Sequence, residues 1–183
     1  QDLSSADIQI NGENVGDAFG YSLVGISDIN GDQAADIAIG AYLAESDGPG
    51  AGKTYIFYGP IPSGISSASI ANVVLSGKFA DWSGTNLASS NMNQDGFSDI
   101  LVGARQAHAP SGAASGCVYL FFGTPTLSSV KTQTLPSWCG EIDDDQVSLL
   151  PNHIPDLNHD SVPDIVIGSP ITMVISIFFG LGL

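Results

Sequence analysis

Asp28-Ile29-Asn30-Gly31-Asp32-Gln33-Ala34-Ala35-Asp36 carries oxygen-bearing side chains at its first, third, fifth and ninth positions, and the apolar run Ile37-Ala38-Ile39-Gly40-Ala41 follows at once. The pattern returns as Asn91-Met92-Asn93-Gln94-Asp95-Gly96-Phe97-Ser98-Asp99, leading into Ile100-Leu101-Val102-Gly103-Ala104. It returns again as Asp156-Leu157-Asn158-His159-Asp160-Ser161-Val162-Pro163-Asp164, leading into Ile165-Val166-Ile167-Gly168-Ser169. The ninth positions, 36, 99 and 164, lie 63 and 65 residues apart. Three acidic loops at a near-constant period mark a chain built from internal repeats.

Around each loop the chain reads as short strands rich in Val, Ile, Tyr and Phe, punctuated by Gly, Pro, Asn and Asp. The first repeat offers strands over 19–24, 37–40, 54–59 and 71–75; the second over 82–87, 100–103, 118–123 and 131–135. The third offers 146–150, 165–168 and 174–180, and a lone strand over 6–10 precedes the first repeat, ended by Asn11-Gly12. No helical period of useful length intervenes. Repeats of about four strands, apolar on both faces, describe an all-β β-propeller with blades of four antiparallel strands. The chain is one domain, 1–183, with blades over 13–76, 77–137 and 138–183. The last blade lacks its fourth strand, and an N-terminal strand such as 6–10 is expected to complete it. Because a ring needs at least four blades, closure by a second chain through strand exchange is expected, as a dimer or an open polymer. A longer propeller of which this chain is a piece is the competing explanation.

Phe19-Gly20 before the first acidic loop and Gly40-Ala41 after it resemble the two signatures of the FG-GAP repeat of integrin α-subunit propellers and bacterial extracellular proteins. Trp82-Ser83 stands for Phe-Gly in the second copy, where Gly103-Ala104 is kept. In the third, Gly168-Ser169-Pro170 stands for Gly-Ala-Pro. The resemblance implies calcium in each loop and an extracellular or cell-surface setting.

The residues point to calcium on their own terms too. Calcium takes six to eight oxygens in flexible geometry, and alternate side chains around a tight turn supply them. The expected ligands are Asp28, Asn30, Asp32 and Asp36 with the Ala34 carbonyl; Asn91, Asn93, Asp95 and Asp99 with the Phe97 carbonyl; and Asp156, Asn158, Asp160 and Asp164 with the Val162 carbonyl. That makes about three Ca2+ per chain. The twelfth positions are Ile39, Val102 and Ile167 rather than Glu, which separates these loops from EF-hands. The second loop has one carboxylate fewer than the others, so its site is expected to be weakest.

Formal net charge is −15 with only four basic residues, so phosphate backbones are repelled and nucleic-acid binding is excluded. No run approaches the roughly 18–20 apolar residues of a membrane helix, and the closing apolar run is read as a buried strand. His108, His153 and His159 show no zinc spacing, and no catalytic elbow or phosphate loop occurs, so no enzyme is expected. Cys117 and Cys139 flank the turn region 124–130 symmetrically: they are either unrelated thiols or a cross-strand disulfide. Three functions stay open: a calcium-dependent adhesion or recognition module for a protein or glycan ligand, a structural subunit of an extracellular polymer, and an accessory domain of a secreted hydrolase or lyase.

Overall fold

The computed structural model describes residues 2–110, 112–149 and 154–180. Fourteen strands are assigned among them: β1 (Ile8–Asn11), β2 (Phe19–Ile26), β3 (Asp36–Ala41), β4 (Lys53–Phe57), β5 (Gly64–Ser67), β6 (Val73–Ser76), β7 (Ser83–Ser90), β8 (Asp99–Ala104), β9 (Cys117–Phe121), β10 (Val130–Lys131), β11 (Ser137–Cys139), β12 (Ser148–Leu149), β13 (Ile165–Ser169) and β14 (Val174–Phe178). Three short 3₁₀ turns are the only helical elements assigned among the described residues. His153 and Leu150 lie outside the described residues.

The strands form three meanders and a ribbon. The first sheet runs β10-β6-β4-β3-β2, the second β11-β9-β8-β7, and the third β12-β13-β14. Apart from the parallel edge β10–β6, neighbours in the three sheets are antiparallel, and each acidic loop joins the first strand of its meander to the second. Alternation of side chains then decides the stacking. Val24, Ile26, Ala38 and Ile56 of the first sheet meet Leu87, Ile100, Val102 and Phe121 of the second. The opposite face of the second sheet gives Ala88, Leu101, Val118 and Leu120 to Ile165 and Ile167 of the third. β8 and β9 are accordingly buried at every residue, as strands with a sheet on either side must be.

Four expectations need correction. The fourth strand of the second sheet is β11, not 131–135: Val130 and Lys131 add a parallel edge to β6 of the first sheet, and 132–134 form a 3₁₀ turn. The second sheet thus ends at Cys139, beyond the boundary placed at 137. The N-terminal strand pairs in parallel with β5, where the ribbon covers the outer face of the first sheet through Ile10 and Ala68. Finally, β14 is exposed at every residue, with Ile175 62% and Ile177 46% accessible, because among the described residues no sheet covers that face.

The cysteines form a cross-strand disulfide, with Cys139 directly opposite Cys117 in the β11–β9 ladder. Basic residues are few and occupied. Lys53 pairs with Glu13 and Lys131 with Asp47, each at 2.7 Å, while Arg105 bonds Gln146. The hydrogen bond from Lys53, then that from Tyr55, holds the Glu13 carboxyl below its ordinary value. The stability it gives is present above the unfolded pKa and is lost as pH falls through the lowered one. Lys78 sits exposed in the turn between the first two sheets, its N–H donating to Asp81.

Gly40 marks a close approach of those sheets. A Cβ there would overlap the Gly84 carbonyl and the Ser22 hydroxyl, which bond one another at 2.7 Å. Gly40→Ala is expected to cost about 1–3 kcal/mol in denaturant unfolding, because the backbone on both sides must move.

Candidate metal centres

The three acidic loops are built alike. Their fourth and sixth residues have left-handed backbone in every copy: Gly31 and Gln33, Gln94 and Gly96, His159 and Ser161. This tight double turn aims successive N–H groups at the oxygen side chains. Asp28 accepts from Asn30, Gly31 and Gln33, and Asp156 from Asp160 and Ser161. The third-position amide donates to the fifth-position carboxylate in all three loops, at 2.9, 2.9 and 2.8 Å. The fifth carboxylate also receives the seventh N–H, from Ala34, Phe97 and Val162, each at 2.8 Å. The third and fifth side chains are therefore brought together on the outer rim of each loop, the fifth exposed throughout and Asn30 and Asn93 half-buried.

The ninth residue points the other way. Asp36, Asp99 and Asp164 are buried, and each accepts two backbone N–H groups from distant points. One comes from the second loop position: Ile29 at 2.8 Å, Met92 at 2.7 Å, Leu157 at 2.5 Å. The other comes from the glycine after the third strand of the meander: Gly59 at 2.9 Å, Gly123 at 2.9 Å, Gly180 at 3.0 Å. Each of these carboxylates thus clamps its loop to the end of its own sheet.

Electrostatics separates the positions. Asp28 experiences some desolvation, yet the N–H groups of Gln33, Gly31 and Asn30 hold it below the usual carboxylate range. Burial pushes Asp36 and Asp99 above it, against their two N–H donors and aided by Asp32 and Asp95. A raised carboxyl favours the fold at low pH and loses that contribution as pH rises through the raised value. A cation beside the carboxylate reverses the sign.

The donor set was tested against calcium. Among the described residues no three His, Cys, Asp or Glu side chains cluster, so any ion must also use the amides and carbonyls of these loops. All candidate donors are oxygens, as a hard cation requires. Asn91 Oδ1, at the first position of the second loop, is buried with no hydrogen-bond partner, which is the state of an acceptor awaiting a cation or water. The residues fit.

Sequence reasoning missed a second repeated carboxylate. Asp17, Asp81 and Asp145 recur every 64 residues and are buried, each followed by a left-handed residue, Ala18, Trp82 or Gln146. Asp17 and Asp81 offer their carbonyls to Leu43 and Gln106 after the second strand, and Asp145 binds Ser169 and Thr172 there. The constant spacing was the signal available.

No protein-family model matches the chain. It is 33% identical to integrin alpha-7 of Rattus norvegicus over 133 residues, covering 72% of this chain and 10% of that protein. It is 28% identical to integrin alpha-IIb of Mus musculus over 175 residues, covering 88% and 16%. It is 29% identical to integrin alpha-5 of Xenopus laevis over 172 residues, covering 87% and 15%. Over most of its length the chain is similar to integrin α subunits, in keeping with its FG-GAP-like repeats, and it spans 10–16% of the length of these relatives.

The clamp and rim roles are separable by mutation. In chelator, Asp99→Ala should cost about 1–3 kcal/mol in urea unfolding, since it orphans two N–H groups, whereas Asp95→Ala should cost less than 1. Equal losses would contradict the division.

Proposed function

We propose that the three meanders are successive blades of a non-catalytic, calcium-binding β-propeller module acting in adhesion or recognition outside the cell. The observation that carries this reading is the recurrence of one acidic loop at the same place in three face-to-face sheets, in a chain similar to integrin α subunits. Each loop takes one Ca2+ through its first, third, fifth and ninth side chains and its seventh carbonyl. The rim carboxylates then gain a counter-ion and the clamp keeps the loop on its sheet. The disulfide supports an oxidising, extracellular setting.

Closure of the ring needs more sheets, and the exposed outer face of β14 is where the next one seats. A second chain, or further sheets of a longer chain, supplies it in the present reading. With β1 engaged against β5, docking of whole sheets replaces the exchange of strand 6–10. A second reading, the extracellular structural polymer, draws on the outer edge of β14, which is paired on one side with β13: among the described residues, Val174, Ile175, Ile177 and Phe178 present an open apolar edge of the kind that templates edge-to-edge growth.

Chelation is expected to lower the melting temperature by several degrees, since binding to the folded state alone is folding energy. A melting curve unmoved by chelator would overturn the calcium assignment. Native mass measured with calcium distinguishes the readings: a discrete closed assembly supports the module, and open-ended growth supports the polymer.

A further inference from the structure

The acidic loops do not stand apart. Ser98, at the eighth position of the second loop, donates its N–H to the Asp28 carbonyl at 2.6 Å, and its hydroxyl accepts the Asp28 N–H at 3.4 Å. The Phe97 ring lies on Gly31, where a Cβ would come within 2.6 Å of its Cε1. A second path joins the two clamp carboxylates. Ile29 donates to Asp36 and accepts at its carbonyl from Thr124 at 2.9 Å, while the adjacent Gly123 donates to Asp99. Residues assigned to the first site are thus fastened to residues assigned to the second by main-chain hydrogen bonds.

The third loop cannot repeat the first of these links. Its eighth residue is Pro163, which has neither an N–H nor a hydroxyl to offer the second loop. Its seventh is Val162, without a ring. Among the described residues the second and third loops share one hydrogen bond, from the exposed Gln94 amide to the Ser161 carbonyl at 3.2 Å.

We infer that the first and second loops take up their cations as a positively coupled pair, joined through Ser98, Phe97 and Ile29, and that Pro163 and Val162 make the link between the second and third loops the weaker one. The inference rests on the calcium reading above. Ordering either loop costs conformational entropy. Once one is held, the shared backbone of the other is held too, and the second event costs less. Coupling of this kind is reciprocal.

Calcium titration followed by amide resonances tests it, with the Asp99 amide reporting the second site and the Asp36 amide the first. Asp32→Ala, a rim change in the first loop, is expected to weaken the second site about fivefold or more, and Asp95→Ala to weaken the first by the same factor. Asp160→Ala in the third loop should leave the first site unchanged and move the second less than Asp32→Ala does. Ser98→Pro and, as a gentler change, Phe97→Val give the second loop the residues of the third. Each should weaken the coupling, the path through Ile29 and Thr124 remaining, while the chain still binds calcium at both sites. If Asp32→Ala leaves the second site unaltered in a chain that binds calcium, the coupling is overturned and the calcium reading stands. If the unaltered chain takes up no calcium, both fall.

Discussion

A buried carboxylate receiving two backbone N–H groups is the interaction on which this chain depends. At Asp36, Asp99 and Asp164 the same side chain holds the start of a loop and the end of a sheet that are otherwise joined only through two intervening strands. Burying an ionised group is costly unless its lone pairs are filled. Here the filling is done by peptide groups that the turn and the strand end would leave unsatisfied. The cost of the charge and the cost of the orphaned N–H groups offset each other. With the loop fixed at its base, its outer oxygens form a rim whose shape changes little from repeat to repeat.

That economy explains why the repeats tolerate so much divergence elsewhere. Left-handed backbone is demanded at the fourth and sixth positions of each loop, yet glycine occupies only Gly31 and Gly96, and His159 and Ser161 accept the strain together. The register sets Ser83-Gly84, and not the expected Trp82-Ser83, in the place of the first copy's Phe-Gly: a β-bulge between Ser83 and Asn86 keeps the ladder in step, as one between Phe19 and Ser22 does in the first.

The residues with a short-range signature were legible in the sequence. Nine-residue acidic spacing located the loops, β-branched runs located β3, β4, β8, β9 and β13, and the symmetry of Cys117 and Cys139 matched their ladder register. What escaped was set by distant partners. Val130-Lys131 has strand propensity like its neighbours, but the edge of β6 decides where it pairs. Residues 6–10 alternate as a strand should, and nothing local says that β5 is their partner. The apolar pattern of β14 matches that of β4 and β9, so exposure depends on what lies beyond it and not on its own residues. The clamping role of the ninth aspartate was hidden for the same reason: its glycine partners are 16 to 24 residues away.

The scarcity of basic residues has a practical corollary. Lys53, Arg105 and Lys131 are each tied by a side-chain hydrogen bond, and only Lys78 among the four is left without one. It is exposed in the connection between the first and second sheets. A protease specific for basic residues, applied to the folded chain, therefore has an exposed target at a seam between repeats, and limited digestion there reports how firmly one sheet is held to the next.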